Sequence, residues 1–336
     1  MPRVMNMHTH LPTRAFGRTG MEITPLGIGA WAMGGNMWGP QDDAQSINAI
    51  RHAVEKGINW IDTAAVYGNG HSETVIGQAL REMPGADRPF VFTKGGIVRD
   101  AQGQNPRRIG ERNHLRAELE GSLKRLQVEV IDLYQMHWPS DDVPLEDYWA
   151  TLLELKAEGK VRHVGLSNHD LPALQRAEAM GHVETLQPPF SMIRRDVAAE
   201  LLPWCESNGV GVICYSPMQA GLLTGTFTRE RAEALPENDW RRSNPEFTGE
   251  NLERNIALAE ALRPIAERHG TSVASIALAW ALAWPGLTGT IVGARSPDQV
   301  DAWIGAATLT LEDRDLDEIA AAIQSTGAGK GPGRPA

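Results

Sequence analysis

Seven short apolar runs in this 336-residue chain each end on a polar residue or a glycine, and helical stripes fill the intervals between them. Ile58-Asn59-Trp60-Ile61 runs into Asp62, Phe90-Val91-Phe92-Thr93 into Lys94, and the segment Val130 to Met136 into His137. Val164-Gly165-Leu166 precedes Ser167-Asn168, Thr185-Leu186 precedes Gln187, Val210 to Cys214 precedes Tyr215, and Thr290-Ile291-Val292 precedes Gly293. Brief runs of this kind read as buried parallel strands. In a barrel of parallel strands the carboxyl ends open on one common mouth, where barrel enzymes build their sites. The polar residues are therefore expected to meet there.

The intervals carry the matching helices. Asp42-Asp43 caps a stripe of Ile47, Ile50 and Val54 that Gly57 stops. A second helix begins near Asn113 and repeats Leu115, Leu119, Leu123 and Leu126; a third carries Leu145, Trp149, Leu152 and Leu155 and ends at Gly159. Asp170 caps a fourth that stops at Gly181, and Val197, Leu201 and Trp204 mark a fifth ended by Gly209. Strand, helix, glycine, strand is the rhythm of a parallel α/β fold. Two segments break it. Gly221-Leu-Leu-Thr-Gly225 and the polar stretch 236–245 form a long mouth loop, which reads as a lid or binding loop, before the helical pattern resumes at Leu252. The expected organisation is an N-terminal extension over 1–13, one α/β barrel domain over 14–324, and a disordered Gly- and Pro-rich tail over 325–336.

Hydrophobic residues make up 42% of the chain, yet none of its apolar stretches is long enough to span a bilayer, and residues 1–13 lack the apolar core of a signal peptide. A cytoplasmic protein without a membrane partner is expected. Two cysteines, Cys205 and Cys214, cannot form a disulfide framework for this length and read as inert buried thiols. The net charge of -10 argues against a nucleic-acid surface, so any bound anion needs a local basic pocket.

The segment Asp62-Thr-Ala-Ala-Val-Tyr67 places a carboxylate and a phenol on one loop, and Lys94 and His137 arrive from the next two strands. A free Tyr has a pKa of about 10, and a neighbouring ammonium lowers it. Lys94 is expected to supply that ammonium, with Asp62 fixing it in place. His137 would orient a substrate carbonyl. The set suits proton delivery to an oxygen that gains negative charge.

These motifs in this order resemble the aldo-keto reductase superfamily from about Arg14 to about Ile323. The resemblance rests on Gly57 to Glu73, Thr93-Lys94, Leu133 to Pro139, Val164 to Asn168, Cys214-Tyr-Ser-Pro217 and Val292-Gly-Ala-Arg295. It implies a (β/α)8 TIM barrel and reversible hydride transfer between NADP(H), in preference to NAD(H), and an aldehyde, ketone, sugar or polycyclic alcohol. Tyr67 is implied as general acid, Asp62 and Lys94 as its tuners, and His137 as the carbonyl-orienting group. Ser167, Asn168 and Gln187 match residues that hold the nicotinamide carboxamide, and Tyr215 matches the aromatic that stacks on its ring. Ser216, Leu222 and Gly225 match the loop over the pyrophosphate. Gly293, Arg295 and Ser296 follow the last strand; with Pro297 as the first helical residue, they are expected to meet a 2'-phosphate. Many members carry a second basic residue and an Asn further along, where Gln299, itself expected at the cofactor, and Trp303 stand here. Gln187 is also followed by Pro-Pro-Phe-Ser where many relatives have Tyr and Asn.

Plainer readings compete at each position. A buried Asp–Lys pair can brace a barrel without catalysing anything, and Arg295 alone reads as a solvated helix-start residue. The joint match of four strand ends favours catalysis. Trp31, Met33, Trp38 and Trp138 fall on expected mouth loops, with Phe190 joining them, and would make an apolar or ring-stacking pocket that the loop around Trp240 closes. Two readings of other classes remain: a cofactor-binding regulatory protein like the potassium-channel β-subunits, which this chain also resembles, and a metal-dependent hydrolase. The latter needs strand-end ligands absent from these motifs, and His8-Thr-His10 precedes the barrel, so no metal is expected.

Overall fold

A computed structural model describes residues 11–35, 41–83, 85, 88–100, 105–237 and 239–335. Eight parallel strands close into a barrel in sequential order: β1 (Leu26–Gly29), β2 (Trp60–Asp62), β3 (Phe90–Gly95), β4 (Ile131–Met136), β5 (Val161–Ser167), β6 (Thr185–Gln187), β7 (Gly211–Cys214) and β8 (Gly289–Gly293), with β8 pairing back to β1. Together with the helices between successive strands, this is the expected (β/α)8 TIM barrel. β1 is the one barrel strand that the apolar runs do not reveal, because Leu-Gly-Ile-Gly is half glycine. Gly27 is nonetheless required by size: a Cβ there would lie 2.2 Å from the Trp60 ring, which fills the barrel interior. Trp60 packs with Phe16, Phe92, Leu133 and Ile213 inside the barrel, and donates its indole N–H to the Thr24 carbonyl at 2.8 Å.

The helices form around their expected stripes. Asp42 caps Asp43–Glu55 through the Gln45 amide, and Asp170 caps Leu171–Met180 through the Ala173 amide. Leu115, Leu119 and Leu126 of the helix Arg112–Leu126 are buried, as are Leu145, Trp149, Leu152 and Leu155 of Leu145–Ala157. The fifth stripe is interrupted: Val197 lies in a separate 3-10 turn, Asp196–Ala198, before the helix Leu201–Asn208.

Two expectations are corrected. The tail is ordered up to residue 335. The last helix runs to Thr326, Ala328 is buried, and Arg195 holds the following residues through the carbonyls of Ala328 (3.1 Å) and Gly331 (3.2 Å). Composition suggested disorder because the anchor is a single buried arginine far away in sequence. Phe190 is core, not mouth: it is fully buried and stacks on Trp280 at 5.4 Å.

Candidate active site

Backbone register sets the site before any side chain is considered. Lys94 pairs with Gln135 across β3 and β4, Gln187 pairs with Ser167 across β6 and β5, and Gly29 pairs with Asp62 across β1 and β2. The last residues of neighbouring strands thus share one level, facing the mouth.

At that level Lys94 is completely buried and donates to Asp62 Oδ1 at 2.6 Å and to the Thr63 carbonyl at 2.8 Å. Gln187 donates to Asp62 Oδ2 at 2.9 Å and to Gln135 Oε1 at 3.0 Å. Burial pushes the Asp62 carboxyl up and the Lys94 ammonium down, and their mutual contact opposes both shifts. Gln135 was missed by sequence reasoning. Its signal was a lone amide inside the apolar run Ile131 to Met136, where a polar side chain needs a buried partner.

Tyr67 sits above this pair on the loop after β2. The Lys94 Nζ lies 5.5 Å from the centre of its ring, and the His137 ring meets it edge-on at 5.7 Å and 78°. The loop is held by direct backbone contact: a Cβ on Gly34 would lie 2.7 Å from the Gly68 nitrogen and 2.8 Å from the Tyr67 carbonyl carbon, so only glycine lets the two loops approach. The expectation that Lys94 lowers the Tyr67 pKa is not met. The phenol is pushed well above its usual value, first by burial and then by the Asp62 carboxylate and Tyr215. Tyr67 is therefore protonated at neutral pH.

His137 ends the β4 side of the site. Burial, then the charges of Lys94 and Arg99, hold its imidazole well below the usual range, so it is neutral. Nδ1 is buried without a hydrogen-bond partner. Leaving that nitrogen as a bare lone pair costs less than burying an unpaired N–H, which favours the proton on Nε2.

A hydrogen-bonded chain joins this group to the residues on the other side of the mouth. Tyr215 donates its hydroxyl to Asn168 Oδ1 at 2.7 Å; Asn168 Nδ2 donates to the His137 carbonyl at 2.9 Å and to Ser167 Oγ at 3.1 Å. Ser167 Oγ donates to the Gln187 carbonyl at 2.8 Å. Asn168 (φ 63°) and Ser216 (φ 55°) both hold left-handed backbone, strain of the sort that collects at binding sites.

The remaining candidates divide. Leu222 has its side chain fully buried in the core. Gly225 (φ 74°) ends the 3-10 segment Gln219–Thr224. Gly293 is exposed at the end of β8, and Ser296 begins the short helix Pro297–Asp301 with its hydroxyl not used as a cap. Gln299 turns back instead, accepting from the Arg295 backbone N–H at 2.8 Å. Trp31 stands over Tyr67 at 6.2 Å and against Trp240 at 6.1 Å, so the long loop does reach the mouth. Trp138 is half-buried beside His137, Met33 is buried beneath the mouth, and Trp38, like His8 and His10, lies outside the described residues.

Fold and site together define an eight-stranded parallel barrel with a buried polar cluster at the strand carboxyl ends. Residues 25–324 match the Aldo/keto reductase family, and the chain belongs to it. It is accordingly an oxidoreductase acting on carbonyls with a nicotinamide cofactor. Aldo-keto reductase YhdN of Bacillus subtilis is 35% identical over 92% of this chain and 92% of its own length. The NADH-specific methylglyoxal reductase of Escherichia coli is also 35% identical, over 92% of this chain and 98% of its own. The structure of the glycerol dehydrogenase AKR11B4 from Gluconobacter oxydans superposes with a TM-score of 0.87 at 32% identity, covering 95% of this chain and 97% of that one. Among the described residues no helix is long and apolar enough to cross a membrane, and no group of His, Cys, Asp and Glu could hold a metal ion.

Proposed function

We propose that this protein reversibly reduces aldehydes or ketones with NADPH, Tyr67 being the proton donor. The observation that carries the reading is the placement of the Tyr67 ring over the buried Lys94–Asp62 pair and edge-on to His137. The nicotinamide, when bound, supplies the hydride. The protein's own groups do the rest. Tyr67 gives its proton to the oxygen that gains negative charge, and the Lys94 ammonium below the ring stabilises the phenolate left behind. His137 offers its Nε2–H to the same oxygen and so orients the carbonyl. The Trp31 and Trp240 rings exclude water from one side of the mouth.

The residues present fit a carboxamide-bearing ring. Gln187 spends both amide hydrogens on Asp62 and Gln135, which leaves its carbonyl oxygen as an acceptor for the carboxamide N–H. Tying the Tyr215 hydroxyl to Asn168 fixes the ring plane and presents a face for stacking. One relative is named for NADH specificity, so preference in this chain turns on Arg295 and Ser296. Their positions after β8, with the Ser296 hydroxyl not engaged as a cap, suit a 2'-phosphate. Titrations of Arg295→Ala with NADPH and NADH test this. A charge-assisted contact is worth about 1.5–3 kcal/mol, so NADPH affinity should fall roughly 10- to 100-fold while NADH affinity holds. An equal loss for both cofactors would remove the 2'-phosphate assignment.

A further inference from the structure

We propose that the mouth selects carbonyl substrates that carry a negatively charged group, a carboxylate or phosphate, bound by the guanidinium of Arg108. The proposal rests on the carbonyl-reductase reading above and names its substrate class.

The chain beyond Lys94 builds one wall of the mouth. β3 continues through Gly95-Gly96 into Ile97–Val98, which pairs antiparallel with Arg107–Arg108. The returning strand is pinned on both sides: Ile109 donates its amide to the Gly96 carbonyl at 3.0 Å, and Asp141 donates its amide to the Arg108 carbonyl at 3.1 Å. Gly110 donates to Asp142 Oδ1 at 2.7 Å. The Arg108 backbone is thereby fixed against the loop that follows β4. Its guanidinium lies over the Trp138 ring, 4.5 Å from the centre, and Trp138 is the residue next to His137. A positive group therefore stands one residue away from the imidazole that orients the carbonyl.

Its contacts leave that group incomplete. Stacking uses the face of a guanidinium, whereas its five N–H donors point outward in the plane, in the fork that matches a carboxylate or phosphate. Several other arginines of this acidic protein pair with carboxylates, as in Arg112–Glu154, Arg116–Glu158 and Arg268–Asp315. No carboxylate among the described residues pairs with Arg108. Of the nearby acids, Asp142 accepts from Gly110 and Ser140 and Glu111 caps the Asn113 and His114 amides, while Asp141, bonded to the Arg108 carbonyl through its backbone amide, forms no ion pair with the Arg108 guanidinium. Arg99, on the same excursion, adds a second positive charge that is felt at His137. A chain of net charge -10 repels anions at long range, so holding an anionic substrate requires such a local cation. The plainer role, in which Arg108 only shields an indole from water, predicts no discrimination by substrate charge.

The test compares 4-carboxybenzaldehyde with its neutral methyl ester, methyl 4-formylbenzoate, by kcat/KM with NADPH. The parent protein should favour the carboxylate by about tenfold or more, the size of one charge-assisted hydrogen bond, and added salt should shrink that ratio. Arg108→Met keeps an apolar chain on Trp138 and should bring the ratio towards one. A ratio near one in the parent, a ratio insensitive to salt, or a preference that survives Arg108→Met would overturn the proposal. Failure to reduce either aldehyde would instead sink the reductase reading, and this proposal with it.

Discussion

Tyr67→Phe is expected to retain NADPH binding and to lose carbonyl reduction by roughly 10²- to 10⁴-fold, the usual contribution of a positioned proton donor. The substitution removes only the hydroxyl. The ring that meets His137 edge-on and covers Lys94 stays in place, and Gln187, Asn168 and Tyr215 do not depend on it. Kinetics should therefore separate: kcat falls while the dissociation constant of NADPH holds. Parallel loss of both would make Tyr67 a structural aromatic, and unchanged turnover would move the proton donor elsewhere.

The second large effect concerns the Asp62–Lys94 pair. Removing one partner of a buried ion pair leaves the other charge uncompensated, at a cost of about 3–5 kcal/mol. Asp62→Asn strands a fully buried ammonium against the Thr63 carbonyl, and Lys94→Met strands a carboxylate that keeps only Gln187. Both single variants should unfold at clearly lower urea concentration than the parent. The double variant should regain part of that loss, since no unpaired charge remains, yet stay inactive. A double variant with parental turnover would show that the pair only braces the barrel.

Much of this site is legible in the chain because its signal is local. A polar residue directly after a short apolar run marks a strand's carboxyl end, and Asp62, Lys94, His137, Ser167 and Gln187 all sit at that level in the barrel. What escaped depends on contacts distant in sequence. The Tyr67 pKa rises chiefly because the phenol is buried, which no spacing encodes. Phe190 falls where a mouth residue is expected but packs on Trp280 in the core. The tail looked unstructured because nothing near it in sequence names Arg195 as its anchor. Arg108 was missed because its partner, Trp138, is thirty residues away on another strand end.

The central claim is hydride transfer from a nicotinamide to a carbonyl at this mouth. The most direct measurement uses NADPH deuterated at C4, separately on each face, with an aldehyde that the protein turns over, and reads deuterium at the carbinol carbon by NMR. Because Tyr215 fixes the plane on which the ring stacks, deuterium should transfer from one face only. Alcohol formed without deuterium from either face, or NADPH bound with no alcohol formed from any carbonyl, would contradict the account.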